Sequence, residues 1–141
     1  MKILLIDSTK EQLWIAVAQK SNGNITIISE QFCNIMRAHD KNLNKLVRKV
    51  LDDTETGFSA LAAFAVVTGP GSWTGCRVGV IAVKAYGIAH PTVKIIALTS
   101  AESNQTLVNT AFQRYEKKEF TTTQNLMPFY DGEFKVTLKK N

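Results

Sequence analysis

The sequence predicts an α/β domain. Its sheet is mixed and five-stranded, opening as an antiparallel meander and continuing in parallel strands. Helices lie on both faces, and a β-hairpin follows at the C-terminus. Three observations carry this. The first 32 residues hold three apolar runs separated by short polar turns, the pattern of consecutive hairpins. Residues 40–51 repeat apolar side chains at helical spacing. Residues 61–67 form an unbroken apolar run that ends in a glycine-rich turn and leads into a proline-free stretch. That is a strand buried on both faces, a turn and a helix.

In chain order, residues 3–6 are a buried strand with Asp7-Ser8-Thr9 as its polar end. Residues 13–18 and 25–32 are the second and third strands, joined by Asn22-Gly23-Asn24. Asp7, Ser8 and Thr9 sit in the first connection. A carboxylate beside two hydroxyls can hold a metal-bound phosphate there, or can stabilise a turn by bonding its own backbone. In the helix at 40–51, Leu43, Leu46, Val47, Val50 and Leu51 form one stripe, and Asn42, Lys45 and Lys49 face away. His39 stands at its start, either as a metal ligand or in a structural role; no second ligand follows at helical spacing.

The centre of the chain is Gly69-Pro70-Gly71-Ser72-Trp73-Thr74-Gly75-Cys76-Arg77-Val78-Gly79. Gly69 and Gly71 allow positive φ and close approach. Ser72 or Thr74 can cap the helix expected over residues 76–89. A glycine turn feeding a helix N-terminus suits an anion; it also suits plain close packing of helix on sheet. Neither phosphate motif is complete: no Lys-Ser or Lys-Thr follows the last glycine, and Thr74 breaks Gly-x-Gly-x-x-Gly. Gly75 and Gly79 share a helix face that continues through Ala82, Val83 and Tyr86. Small residues at that spacing fit either the chain's own sheet or a second protein.

Residues 94–98 are a further strand. Thr99 with Glu102 reads as a capping box for a helix over residues 100–117. Residues 126–138 read as a hairpin about Asp131-Gly132. Two domains are expected: a lobe over residues 1–120 and an extension over residues 121–141. Net charge is +5, spread along the chain rather than grouped. It permits a nucleic-acid partner without arguing for one. Two cysteines without a CxxC or a Cys/His zinc spacing point to a reduced, cytoplasmic chain. No run reaches the length of a membrane span.

The first strand with Asp7-Ser8-Thr9, Arg37-Ala38-His39 at the first helix, and the Gly69–Gly79 motif together resemble the TsaB family. The likeness covers roughly residues 1–110 well and the hairpin loosely. It implies one actin-like or RNase H-like lobe, with the hairpin as a remnant of a second. It further implies a non-catalytic subunit of the machinery that makes threonylcarbamoyladenosine at position 37 of tRNA. Such a subunit pairs with a TsaD-type catalytic subunit and helps recruit a TsaE-type ATPase. It meets tRNA indirectly, needs no cofactor or metal, and can pair with itself. The expected interface is His39, Leu43, Leu46, Val47, Val50, Gly75, Val78, Gly79, Ala82, Val83 and Tyr86, with Gly79→Arg expected to block assembly while sparing the fold. Asp7, Ser8, Thr9, Gly69, Gly71, Ser72 and Thr74 become degenerate nucleotide-type loops. The alternatives are an actin-fold phosphotransferase using Asp7 and the 69–75 turn, or a basic RNA-binding module.

Overall fold

A computed structural model of the chain describes residues 1–34 and 39–129. Three strands open it: β1 (Lys2–Asp7), β2 (Leu13–Ser21) and β3 (Asn24–Cys33). Then follow α1 (His39–Asp53), β4 (Ala63–Gly69), α2 (Trp73–Ala89), β5 (Lys94–Thr99) and α3 (Asn104–Glu116). The sheet order is β3-β2-β1-β4-β5. β1 pairs antiparallel with β2 and parallel with β4, and β4 pairs parallel with β5. The turn between β2 and β3 has φ of 53° at Asn22 and 81° at Gly23. Positive φ at both central residues matches the twist of the flanking strands, so Asn-Gly sets the register Ser21↔Asn24.

β1 and β4 lie at the centre and feed both faces. Leu4, Ile6, Phe64 and Val66 pack beneath α1 and α2, against Leu43, Val47, Val50, Val80 and Val83. Ile3, Leu5, Ala65 and Val67 pack beneath α3, against Leu107, Val108, Ala111 and Phe112. The period of two along each strand divides its side chains between these two layers.

Three sequence expectations need correction. α2 begins at Trp73, three residues earlier than expected. Its cap is Ser72, whose hydroxyl accepts from the Gly75 N–H; Thr74 already lies inside the helix. α3 begins at Asn104, capped by Ser103 onto Thr106 N–H. The Thr99/Glu102 box does not form, because Thr99 is still paired in β5 with Gly69. Finally, the described part of the expected hairpin, up to Phe129, forms no strand. Leu126 is buried in the α1/α2 layer, and Phe129 N–H donates to the Thr68 carbonyl at 2.7 Å. The rest of that hairpin lies outside the described residues, as do Arg37 and Ala38.

Where α1 meets α2, the Tyr86 hydroxyl is hydrogen-bonded to Asn44 Oδ1. Burial pushes the Tyr86 phenol up to about 12, against a smaller downward pull from Arg48. The folded phenol therefore stays neutral where the unfolded one, near 10, has lost its proton. Its contribution to stability is full below pH 10 and is lost as pH rises to about 12. Denaturant midpoints across that window are expected to fall in the parent chain and to fall less in Tyr86→Phe.

Among the described residues, no helix is long and apolar enough to cross a membrane.

Candidate functional site

The parallel strands β1, β4 and β5 end on one side of the sheet, where open α/β sheets commonly bind ligands. Three loops meet there. Asp7 Oδ1 accepts from Thr9 N–H at 2.9 Å and from the Thr9 hydroxyl at 2.6 Å. The carboxylate thus closes its own turn, and Asp7 is buried. Ser100 N–H donates to the Gly69 carbonyl at 2.8 Å, and the Ser100 hydroxyl to the Pro70 carbonyl at 2.7 Å. The Gly69–Pro70 peptide is cis. Gly71 lies against Thr9, and the Phe129 backbone passes over Gly69.

Ser8 is the pivot of this arrangement. Its hydroxyl donates to the Gly75 carbonyl at 2.5 Å and accepts from the Gly79 N–H at 2.9 Å. Those two backbone groups are the i and i+4 partners of an α-helix, so the Ser8 hydroxyl bridges one rung of α2. The contact needs bare backbone on this side of the helix. A Cβ at Gly75 would lie 2.6 Å from the Ser8 carbonyl oxygen; one at Gly79 would lie 2.8 Å from Ser8 Oγ and 3.1 Å from Val66 Cγ2. Gly75 and Gly79 are therefore glycines because α2 is pressed onto the end of β1. Ser8→Ala is expected to cost only about 1–2 kcal/mol in urea unfolding, because the Gly75 carbonyl and the Gly79 N–H remain helix partners of each other.

Of the expected interface residues, Gly79 and Val83 face the sheet, and Leu43, Val47 and Val50 are core residues, all five buried within this chain. Leu46, Gly75, Val78, Ala82 and Tyr86 remain half-buried. The exposed face of α2 is the opposite one, where Ile81 is 57% and Ile88 73% exposed. Sequence reasoning missed both isoleucines. Their signal was present: apart from Thr74, Arg77 and Lys84, α2 is apolar or small around its whole circumference, which a helix covered on one face does not require. Residues 76, 79, 80, 83 and 87 form its buried side, so the next apolar stripe must face outward.

At the N-terminal ends of α1 and α2 the loops enclose a cavity of about 830 Å³. Ser8, Thr9, His39, Ser72, Thr74 and Gly75 line it with Lys10, Glu11, Asp40, Arg77, Val78 and Ile81. Sequence-predicted residues from both loops and from the first helix thus converge. His39 Nε2 lies 2.8 Å from the Lys10 carbonyl; a carbonyl only accepts, so Nε2 carries the proton. His39 Nδ1 is buried and has no hydrogen-bond partner among the described residues. No group of three His, Cys, Asp or Glu side chains converges on a metal position among those residues. The hydroxyls and carboxylate best suited to phosphate chemistry, those of Ser8, Thr9 and Asp7, are engaged in internal bonds.

Comparisons with known proteins agree with this architecture. Two solved structures share the fold at a TM-score of 0.61 and 24% identity: YeaZ from Pseudomonas aeruginosa, and a protein described as similar to peptidase YeaZ from the same organism. Each match covers 84% of this chain, and 50% and 49% of those chains respectively. Among curated relatives, the tRNA threonylcarbamoyladenosine biosynthesis protein TsaB of Bacillus subtilis is 29% identical over 106 residues. An uncharacterised protein of Mycobacterium leprae is 29% identical over 119 residues. These matches take in 74% and 81% of this chain but only 44% and 33% of the relatives' lengths. A family profile described as TsaD, tRNA N6-adenosine threonylcarbamoyltransferase, matches residues 26–120, well over half of the chain. With the Gly69–Gly79 loop seated on the end of β1 as described, the chain belongs to the TsaD family, as a TsaB/YeaZ-like member.

Proposed function

We propose that this chain is a non-catalytic scaffold and activator in the formation of threonylcarbamoyladenosine in tRNA, and that it pairs with a TsaD-type catalytic subunit. The observation that carries the reading is the outer face of α2. Ile81 and Ile88 stand exposed there, flanked by the half-buried Val78 and Ala82. Exposed aliphatic stripes of this kind mark protein contacts. The non-catalytic part is supported by the engagement of Asp7, Ser8 and Thr9 within the chain's own loops. In this reading a TsaE-type ATPase joins the same assembly, and tRNA is met through the catalytic subunit.

The test is a mass measurement by light scattering on a sizing column, for the chain alone and mixed with the TsaD-type subunit of its own organism. A mixed species is expected. Two separate peaks, with the chain folded, would count against the reading.

A further inference from the structure

The foot of the sheet, where β1 and β5 begin, carries a second cavity at the opposite end of the strands from the first. It holds about 500 Å³ and is lined by Met1, Lys94, Tyr115, Glu116, Lys118 and Phe120, a volume within the range of ligand sites. The rings of Tyr115 and Phe120 meet edge to face, with centroids 5.3 Å apart and planes at 63°. Both are half-buried, and Lys94 Nζ stands 5.5 Å from the centre of the Phe120 ring. Lys118 closes the C-terminal end of α3 with φ of 58°. Its N–H donates to the Tyr115 carbonyl at 3.1 Å, and the Glu119 N–H donates to the Arg114 carbonyl at 2.9 Å. This is a Schellman cap, whose left-handed residue is usually glycine. Here a lysine takes the strained conformation, and strain of this kind gathers at ligand-binding positions. Backbone N–H groups already satisfy these carbonyls of the helix end, so the ammonium is not needed to cap it. Lys94, Lys117 and Lys118 are exposed, and none of them is in an ion pair among the described residues. Of the acids nearby, Glu116 is paired with Lys20, and Glu119 is exposed beside Phe120. Asp52, Asp53 and Glu55 close α1, whose layer is the other face of the sheet. Lys2 reaches that loop, bonding Thr54 and Thr56.

We propose that this groove holds a single-stranded RNA segment: a base stacks on Tyr115 beside Phe120, and the adjoining phosphates lie on Lys94 and Lys118. Aromatic rings with free cations beside them suit a single strand, since every base has a face to stack and every nucleotide a phosphate. A duplex keeps its bases stacked on one another and offers the rings no face. An acidic peptide would meet the lysines but would leave the rings without a partner. The proposal uses none of the residues that carry the pairing with a TsaD-type subunit. The contact is additional to the one that tRNA makes through that subunit.

The experiment measures, by fluorescence anisotropy, the binding of a labelled single-stranded RNA of about 12 nucleotides, a length on the scale of such sites. Salt is varied from about 0.05 M to about 0.2 M. The parent chain is compared with Lys94→Gln/Lys118→Gln and with Lys41→Gln/Lys45→Gln, which removes the same charge from exposed positions on α1. The parent is expected to bind with a log–log salt slope of about −1.4, the value for two phosphate contacts on a single strand. Lys94→Gln/Lys118→Gln is expected to flatten that slope, and Lys41→Gln/Lys45→Gln to leave it unchanged. Tyr115→Leu keeps apolar bulk without the ring and should lose on the order of tenfold in affinity at either salt. Lys118→Gly should raise the urea midpoint, because glycine adopts φ of 58° without strain, and should weaken binding at the same time. Equal losses in the two charge-removal variants would show diffuse attraction to a basic chain and overturn the proposal. So would displacement of the RNA by polyglutamate as readily as by unlabelled strand. An unchanged affinity in Tyr115→Leu or in Lys118→Gly would overturn it too, as would no binding by the parent at the lower salt. None of these outcomes bears on the joint species with the TsaD-type subunit, which light scattering reads separately.

Discussion

Gly79→Arg is expected to unfold the chain rather than merely to block an assembly. At this position even a methyl group would meet Ser8 Oγ at 2.8 Å, Val66 Cγ2 at 3.1 Å and Ile6 Cγ2 at 3.3 Å. Relief would require moving α2 off β1, which breaks the Gly79 N–H to Ser8 bond and opens the layer that holds Val80 and Val83. The arginine also carries a charge into the buried seam between α2 and the strands beneath it, where the Asp7 carboxylate is already committed to Thr9. Overpacking alone costs about 1–3 kcal/mol, and an uncompensated buried charge costs several more. A total loss of about 5 kcal/mol or more is comparable with the whole stability of a small domain. Circular dichroism and urea titration check this. A cooperative transition with an unchanged midpoint would show that the glycine face is not pressed on the sheet.

The second large effect is on association. Ile81→Gln/Ile88→Gln exchanges two exposed aliphatic side chains for neutral residues of good helix propensity. Stability should move by no more than about 0.5 kcal/mol, as for surface changes generally. Binding should suffer much more. If each isoleucine contributes about 1.5 kcal/mol by burial at the contact, the pair is worth about 3 kcal/mol, or on the order of 100-fold in Kd. The two variants therefore separate packing from partnership. The glycine face of α2 holds the fold, and the opposite aliphatic face is the one proposed to meet the partner.

Much of the fold is legible in the sequence. The Asn22-Gly23 turn, the continuous apolar runs of β1 and β4 and the stripe on α1 each match one local rule to one element. The phase of α2 could not be read this way. Between Trp73 and Ala89 only Arg77 and Lys84 are charged and apolar or small residues fall on every side, so periodicity does not say which side meets the sheet. Gly75 and Gly79 mark a close approach, but only the position of Ser8 shows what approaches. The cap of α3 failed for a related reason. Thr99 and Glu102 fit a capping pattern, while the pairing of Thr99 with Gly69 holds the chain extended past it. Convergence at the site was legible for Asp7 to Thr9 and the 69–75 loop. The parts played by Ser100 and Phe129 depend on contacts across 30 residues or more of sequence and leave no local trace.

The central claim is that α2 presents an aliphatic face to a TsaD-type subunit. The most direct measurement is the mass of the mixed peak on a sizing column with light scattering, for the parent chain and for Ile81→Gln/Ile88→Gln at equal concentrations. The account predicts a joint species with the parent and separate peaks with the variant, both chains being folded. A joint species of the same mass and stability with the variant would contradict it.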